Sequence, residues 1–294
     1  MNRVSKKKSL ISVCLCIMLL VMLSACDGQR KESGEKTEEK TVPALNIECL
    51  DVGKADAFVL YTASSCVMID CGEKNDGKDI VDFLDVKGIN RIDYLILSHF
   101  DKDHIGGAKK LIGSKDIEKV YVTYRTKTTD KTEDLDEALY GVGIEPETLR
   151  KYISFELDGI KYEIWPPLLE SYGSDDDSND SSLIVKVTAG KRSMLFTGDA
   201  ENRRLSELLQ NDALKADILK LPHHGKKENL SRQFVEHAAS SYAVITSSDD
   251  EKEDDGILKI LDELGVKTYL TRKGHISVKI ENDEILITQE KSNG

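Results

Sequence analysis

The sequence predicts an α/β protein in which two β-sheets pack face to face, with helices outside. Two observations carry this. Short runs rich in Val, Ile, Leu and Phe recur in two sets, each interrupted by stripes of helical period, with no internal repeat. Three of these runs end abruptly in His or Asp, so polar chemistry sits where strands stop.

Leu45–Asp51, Asp56–Thr62 and Ser65–Asp70 read as three consecutive strands, punctuated by Gly53 and by Ala63-Ser64. Ile80, Val81, Phe83, Leu84 and Val86 form a helical stripe closed by Gly88. Tyr94–Leu97 is a buried strand, followed by polar Ser98–His104, a short helix over Gly106–Ile112 and a strand over Val120–Tyr124. Ile153–Leu157 and Lys161–Trp165 flank Asp158-Gly159, a hairpin signal. A second hairpin joins Leu183–Thr188 to Ser193–Thr197 through Ala189-Gly190-Lys191. A helix over Ala200–Leu209 leads to a strand over Asp217–Leu221. The tail adds strand Tyr242–Thr246, helix Ile257–Leu264 and strands near Lys267–Thr271, Ile276–Ile280 and Ile285–Thr288. Asp249–Asp255 holds six acids in seven residues and reads as a solvated loop whose charge favours the next helix N-terminus.

The 294 residues are 39% hydrophobic and 32% charged, which excludes collagen-like, mucin-like and multi-span membrane classes. The formal charge is −12. The first 25 residues hold four cations and no acid, so without them it is −16. So acidic a surface disfavours non-specific binding to nucleic acid, and any such chemistry needs bound metal or a local basic patch.

Residues 10–23 are almost continuously apolar after a cationic start, too short to span a bilayer but suited to a secretory signal. They end in Leu23-Ser24-Ala25-Cys26, which resembles a bacterial lipobox. The expectation is a lipoprotein signal peptide over 1–25, lipidation of Cys26, a flexible tether over 26–42 and a folded domain over 43–294. This anchors the protein to the extracytoplasmic face of the cell membrane, and no protein partner is evident. Cys49, Cys66 and Cys71 lack zinc spacing and read as small buried hydrophobes.

The strongest chemical signal is Ser98-His99-Phe100-Asp101-Lys102-Asp103-His104-Ile105-Gly106-Gly107. Two His and two Asp within six residues, directly after a buried strand, suit a divalent ion. Thr197-Gly198-Asp199-Ala200-Glu201 and Leu221-Pro222-His223-His224-Gly225 repeat the plan on two further strands. Such a site lies along one edge of a sheet sandwich.

These runs resemble the metallo-β-lactamase superfamily, and within it the competence-type, ComEC-like branch. Leu50-Asp51-Val52-Gly53-Lys54-Ala55-Asp56-Ala57 resembles that branch's opening turn, and Met68-Ile69-Asp70-Cys71-Gly72 the superfamily's I-D-x-G element. The resemblance implies an αββα sandwich with two divalent ions, Zn²⁺ or Mn²⁺, at its edge. His99 and Asp101 would hold the first ion. Asp103, His104 and His223 would hold the second, and Asp199 would bridge both, making Asp103 and Asp199 the catalytic carboxylates. Asp70 would orient a ligand His. The resemblance implies a third ligand of the first ion in the loop just before Leu183, where no His stands and Asn179, Asp180 or Ser181 takes the place, Asp180 being the expected ligand. His224, Lys226 and Lys227 would support the site or receive a substrate phosphate, with Arg272 and Lys273 as further cations. The oxygen-rich set implies a hydrolase of phosphodiesters, DNA or a nucleotide-like substrate, rather than of lactams. Two other readings stay open: a surface lipoprotein that binds metal or DNA without turnover, and a β-lactamase.

Overall fold

The computed structural model describes residues 42–172 and 178–290. The signal peptide, Cys26 and all but the last residue of the tether lie outside the described residues.

The chain first lays down β1 (Leu45–Cys49), β2 (Phe58–Tyr61) and β3 (Cys66–Ile69), then helix α1 (Asp76–Val86) and β4 (Arg91–Leu97). Short helices α2 (Lys102–Ile105) and α3 (Ala108–Ile112) precede β5 (Asp116–Val122), helix α4 (Asp130–Val142) and β6 (Glu147–Thr148). The second sheet takes β7 (Ile153–Leu157), β8 (Ile160–Trp165), β9 (Ile184–Ala189) and β10 (Arg192–Phe196). It continues through α5 (Asn202–Leu208), β11 (Ile218–Lys220), α6 (Ser231–Ala238), β12 (Tyr242–Ile245), α7 (Asp255–Glu263) and β13 (Lys267–Leu270). Strands β14 (Ile276–Glu281) and β15 (Glu284–Gln289) then return to the first sheet. The sheet orders are β15-β14-β1-β2-β3-β4-β5-β6 and β13-β12-β11-β10-β9-β8-β7.

Alternate side chains along a strand face opposite ways, and that period builds three apolar layers. Phe58, Leu60, Ile69 and Ile96 meet Val185, Val187, Met194 and Phe196 between the sheets. Phe58 and Phe196 sit edge to face, 5.0 Å between ring centroids. Val59, Met68 and Leu95 turn outward beneath Ile80 and Leu84 of α1 and Leu111 of α3. On the other flank, Leu195, Leu219 and Ala243 lie beneath Leu205, Phe234 and Ile257. This is the predicted two-sheet sandwich. The three cysteines are free and buried.

Two expectations change. The sequence pattern yields no element over 125–150, yet α4 lies there. Its buried stripe, Thr132, Leu135 and Leu139, is too thin to show as a hydrophobic period, and a reciprocal cap between Thr129 and Thr132 starts it. The acidic run is not wholly solvated. Asp254 caps α7, but Glu253 is buried and paired with Arg272.

The strands β3, β4 and β5 run parallel in one sheet, and β10 to β13 in the other. Their carboxyl ends therefore deliver Asp70, His99, Asp199, His224 and Thr246 to a shared edge, the usual place for a ligand in parallel sheets. Removing the ring of Phe58 should leave a void between the sheets. Phe58→Ala is expected to cost about 3–5 kcal/mol, read as a lower urea midpoint at unchanged slope.

Candidate metal centre

Asp70 ends β3, fully buried in a left-handed conformation with φ of 59°. Its Oδ1 accepts the Ser98 backbone N–H at 2.7 Å, which pins the loop leaving β4. Its Oδ2 accepts the Ser98 hydroxyl at 2.7 Å and His104 Nδ1–H at 2.8 Å. Since Ser98 gives its only proton to Asp70, its oxygen accepts Nδ1–H of His99, 3.0 Å away. His99 thus exposes a bare Nε2, and His104 is left with Nε2 as the nitrogen a metal would use.

The other sheet repeats this device. Asp56, also buried, accepts the Thr246 hydroxyl at 2.7 Å. Thr246 in turn accepts Nδ1–H of His224 at 2.9 Å, so Nε2 is the nitrogen His224 offers a metal. The Nε2 atoms of His99, His104 and His224 are buried without a hydrogen-bond partner. Three such orphans are costly unless a cation uses their lone pairs.

Two of them flank Asp199. His104 Nε2 lies 3.2 Å from its Oδ1, and His224 Nε2 3.1 Å from its Oδ2 and 3.4 Å from Asp103 Oδ2. Ligand atoms of Asp103, His104, Asp199 and His224 all fall within 4.8 Å of one another. This N₂O₂ set fits a divalent ion of the zinc or manganese type. Gly198 places Asp199 here: it has φ of 49°, and a Cβ would meet Ser182 Oγ at 2.7 Å. That same Ser182 oxygen accepts the Asp199 N–H at 3.1 Å.

The electrostatics also ask for a cation. Burial alone would raise the Asp199 pKa, but His224, His104 and Lys220 hold it well below the carboxylate range. Burial opposes charge on His104 and His224, yet the surrounding carboxylates outweigh it. They lift His104 well above the usual imidazole value and His224 to about 9. His99, buried and next to His104, falls to about 3 and stays neutral. Protons on His104 and His224 thus occupy the place of a metal and would leave on its binding.

Several expected residues sit differently. His223, expected on the second ion, points its Nδ1 at Glu201 Oε1 at 3.0 Å and keeps its Nε2 4.0 Å from Asp199. Its neighbour His224 takes the central position instead. Both histidines are left-handed, with φ of 49° and 52°, a turn that sends adjacent rings apart. Asp180 is committed elsewhere: its Oδ1 accepts the N–H groups of Glu201 and Arg204 and caps α5. Asp101 lies at the mouth, 3.8 Å from His99 Nε2. Lys226 pairs with Glu201, Arg272 with Glu253 and Asp249, and the Lys227 stem lies over Gly256. Lys273 is exposed. His237 donates to the Asn211 carbonyl, and His275 pairs with Glu48 away from the centre.

Three residues escape the sequence reading as site members: Asp56, Thr246 and Lys220. Lys220 is fully buried on β11. Its ammonium contacts Asp56, the Gly198 carbonyl at 2.9 Å and Asp199 Oδ1 at 3.4 Å. Its signal was a lone cation inside the apolar run Ile218-Leu219-Lys220-Leu221.

Residues 50–248 match the family model of the metallo-beta-lactamase superfamily. The chain belongs to this superfamily. Among curated proteins it is similar to ComE operon protein 3 of Bacillus subtilis, 24% identical over 80% of this chain and 30% of that protein. It is also similar to Recombination protein 2 of Haemophilus influenzae, 28% identical over 70% of this chain and 24% of that one. These relatives place it with the competence branch, and it spans less than a third of their length. The metallo-β-lactamase fold protein YhfI of Bacillus subtilis superposes with a TM-score of 0.55 at 11% identity, over 84% of this chain and all of that one. The superfamily domain and this donor set agree on divalent metal.

Removing one partner of a buried ion pair strands the other charge. Lys220→Met is expected to destabilise the metal-free protein by about 3–5 kcal/mol, and Lys220→Met with Asp56→Asn to recover part of the loss. Urea denaturation of the three proteins checks both signs.

Proposed function

We propose that this protein is a metal-dependent phosphodiesterase acting on DNA or a nucleotide-like substrate. The observation that carries the reading is the convergence of two buried, unpartnered Nε2 atoms, those of His104 and His224, on Asp199, with a third at His99 beside Asp101. Asp103, His104, Asp199 and His224 would hold one divalent ion, and His99, Asp101 and Asp199 a second. Such ions supply a strong nucleophile from water at neutral pH and neutralise charge on a phosphoryl oxygen.

The chain's own residues do the rest. Asp70 and Asp56, through Ser98 and Thr246, hold the imidazoles as neutral donors. Lys220 and the two central histidines keep Asp199 ionised and oriented. The carboxylate-rich donor set favours Mn²⁺ or Zn²⁺ and a hard phosphoryl oxygen over a lactam. Relatives named for competence and recombination support a nucleic-acid substrate.

Hydrolysis of bis(p-nitrophenyl) phosphate is expected with added Mn²⁺ or Zn²⁺, and its loss with a chelator. Asp199→Asn should abolish it. His224→Ala should lose bound metal, whereas His223→Ala should retain it. An Asp199→Asn protein active at the wild-type rate, or a wild type that opens nitrocefin faster than any phosphodiester, would reject the mechanism.

We further propose that Cys26 carries the lipid anchor on the extracytoplasmic face. The run Leu23-Ser24-Ala25-Cys26 supports this. Wild type should enter the detergent phase and Cys26→Ala the aqueous phase. Equal partitioning would overturn the anchor.

A further inference from the structure

A second group of metal-type donors lies one side chain away from the centre. Glu201 follows Asp199 by two residues on the turn after β10, His223 precedes His224 on the turn after β11, and Glu228 lies on the loop before α6. Each offers one ligand atom, and these three atoms lie within 4.8 Å of one another. All three residues are half-buried, so an ion can reach them from solvent.

The left-handed turn at His223 and His224 sends one ring to Asp199 and the other to Glu201. His223 Nδ1 lies 3.0 Å from Glu201 Oε1 but is not aligned for a hydrogen bond, and it is buried without a partner. The same signature marks His104 Nε2 at the centre, 3.2 Å from Asp199 and likewise orphaned. A ring nitrogen that faces a carboxylate without donating to it is suited to share a cation with it. A second orphan stands on the same carboxylate: Asn179 Nδ2 donates to Glu201 Oε1 at 3.1 Å, and the Oδ1 of that amide is buried without a partner.

Both carboxylates are held from behind. The Glu201 backbone N–H donates to Asp180 Oδ1 at 3.0 Å. Glu228 Oε2 accepts from Asn202 Nδ2 at 2.6 Å, and Asn202 Oδ1 accepts the Leu230 N–H at 3.1 Å, which fixes the loop. Outer bonds of this kind orient metal ligands. A cation already stands at the group: Lys226 Nζ lies 3.3 Å from Glu201 and 3.8 Å from Glu228, on a side chain more than half exposed. One ammonium balances one of the two carboxylates, and its exposed stem is free to withdraw.

We propose that Glu201, His223 and Glu228 form an accessory site for a divalent cation of the zinc or manganese type, separate from the centre and filled in competition with Lys226. It is the weaker site, because its donors are half-buried and an ammonium must leave. It fills at excess free metal and empties on dialysis, so the ions retained at the centre do not depend on His223.

The test brings the metal-free full-length protein and two variants to equilibrium with Zn²⁺ across a dialysis membrane and counts bound metal at each free concentration. Wild type is expected to bind one more ion per chain than Glu228→Gln, which keeps an acceptor for Asn202 but loses the charge. Lys226→Ala should bind that ion up to about fivefold more tightly, the upper range for release from an exposed ion pair. A cluster of ion pairs with no affinity for metal would alter folding stability in both variants and leave the count unchanged. Equal counts in wild type and Glu228→Gln, or an extra ion that Lys226→Ala does not tighten, overturns the site. Lys226→Ala keeps all three donors, and its titration decides alone should Glu228→Gln fail to fold.

Discussion

Each central imidazole is held from behind by a buried aspartate, and the metal edge depends on that contact. An imidazole that is free to choose its tautomer is a poor ligand half the time. Here Asp70 takes one proton from Ser98 and one from His104, and Asp56 takes one from Thr246. The hydroxyls can then only accept from His99 and His224. One direction of proton donation, set twice, fixes which nitrogen each of the three rings offers a ligand. The same aspartates tie loops to strands, so ligand geometry and loop geometry are one constraint.

The cost of this arrangement is charge. Asp56, Asp70 and Asp199 lie close together where water hardly reaches, with half-buried Asp103 beside them. Lys220 offsets part of it from within, which is why a fully buried lysine is tolerated on a core strand. The remainder calls for ions from outside. The fold thus leaves a deficit that only divalent metal, or protons on His104 and His224, can meet.

Much of this was legible from the residues. The two-period pattern announced the sandwich, and strands ending in His or Asp announced the edge. Asp103, His104 and Asp199 come together at that edge, with His99 beside His104. Choosing between His223 and His224 was not possible from spacing, because the choice lies in two left-handed backbone conformations. Asp180 looked like a ligand by position, yet an adjacent helix end claimed its oxygen. Asp56 and Thr246 carried no local signal as partners, and Lys220 only that of a lone cation in an apolar run. Asp56 and Thr246 are 190 residues apart, and a threonine in an apolar strand reads as an ordinary β-former.

That separation has a consequence for the order of events in folding. His224 receives its tautomer only when Thr246, near the end of the second sheet, reaches Asp56, near the start of the first. Contacts so distant in the chain close late. A nascent or half-folded chain therefore presents scattered histidines and aspartates, with no selectivity among metals. A metal ion would meet the complete donor set only once this contact has closed.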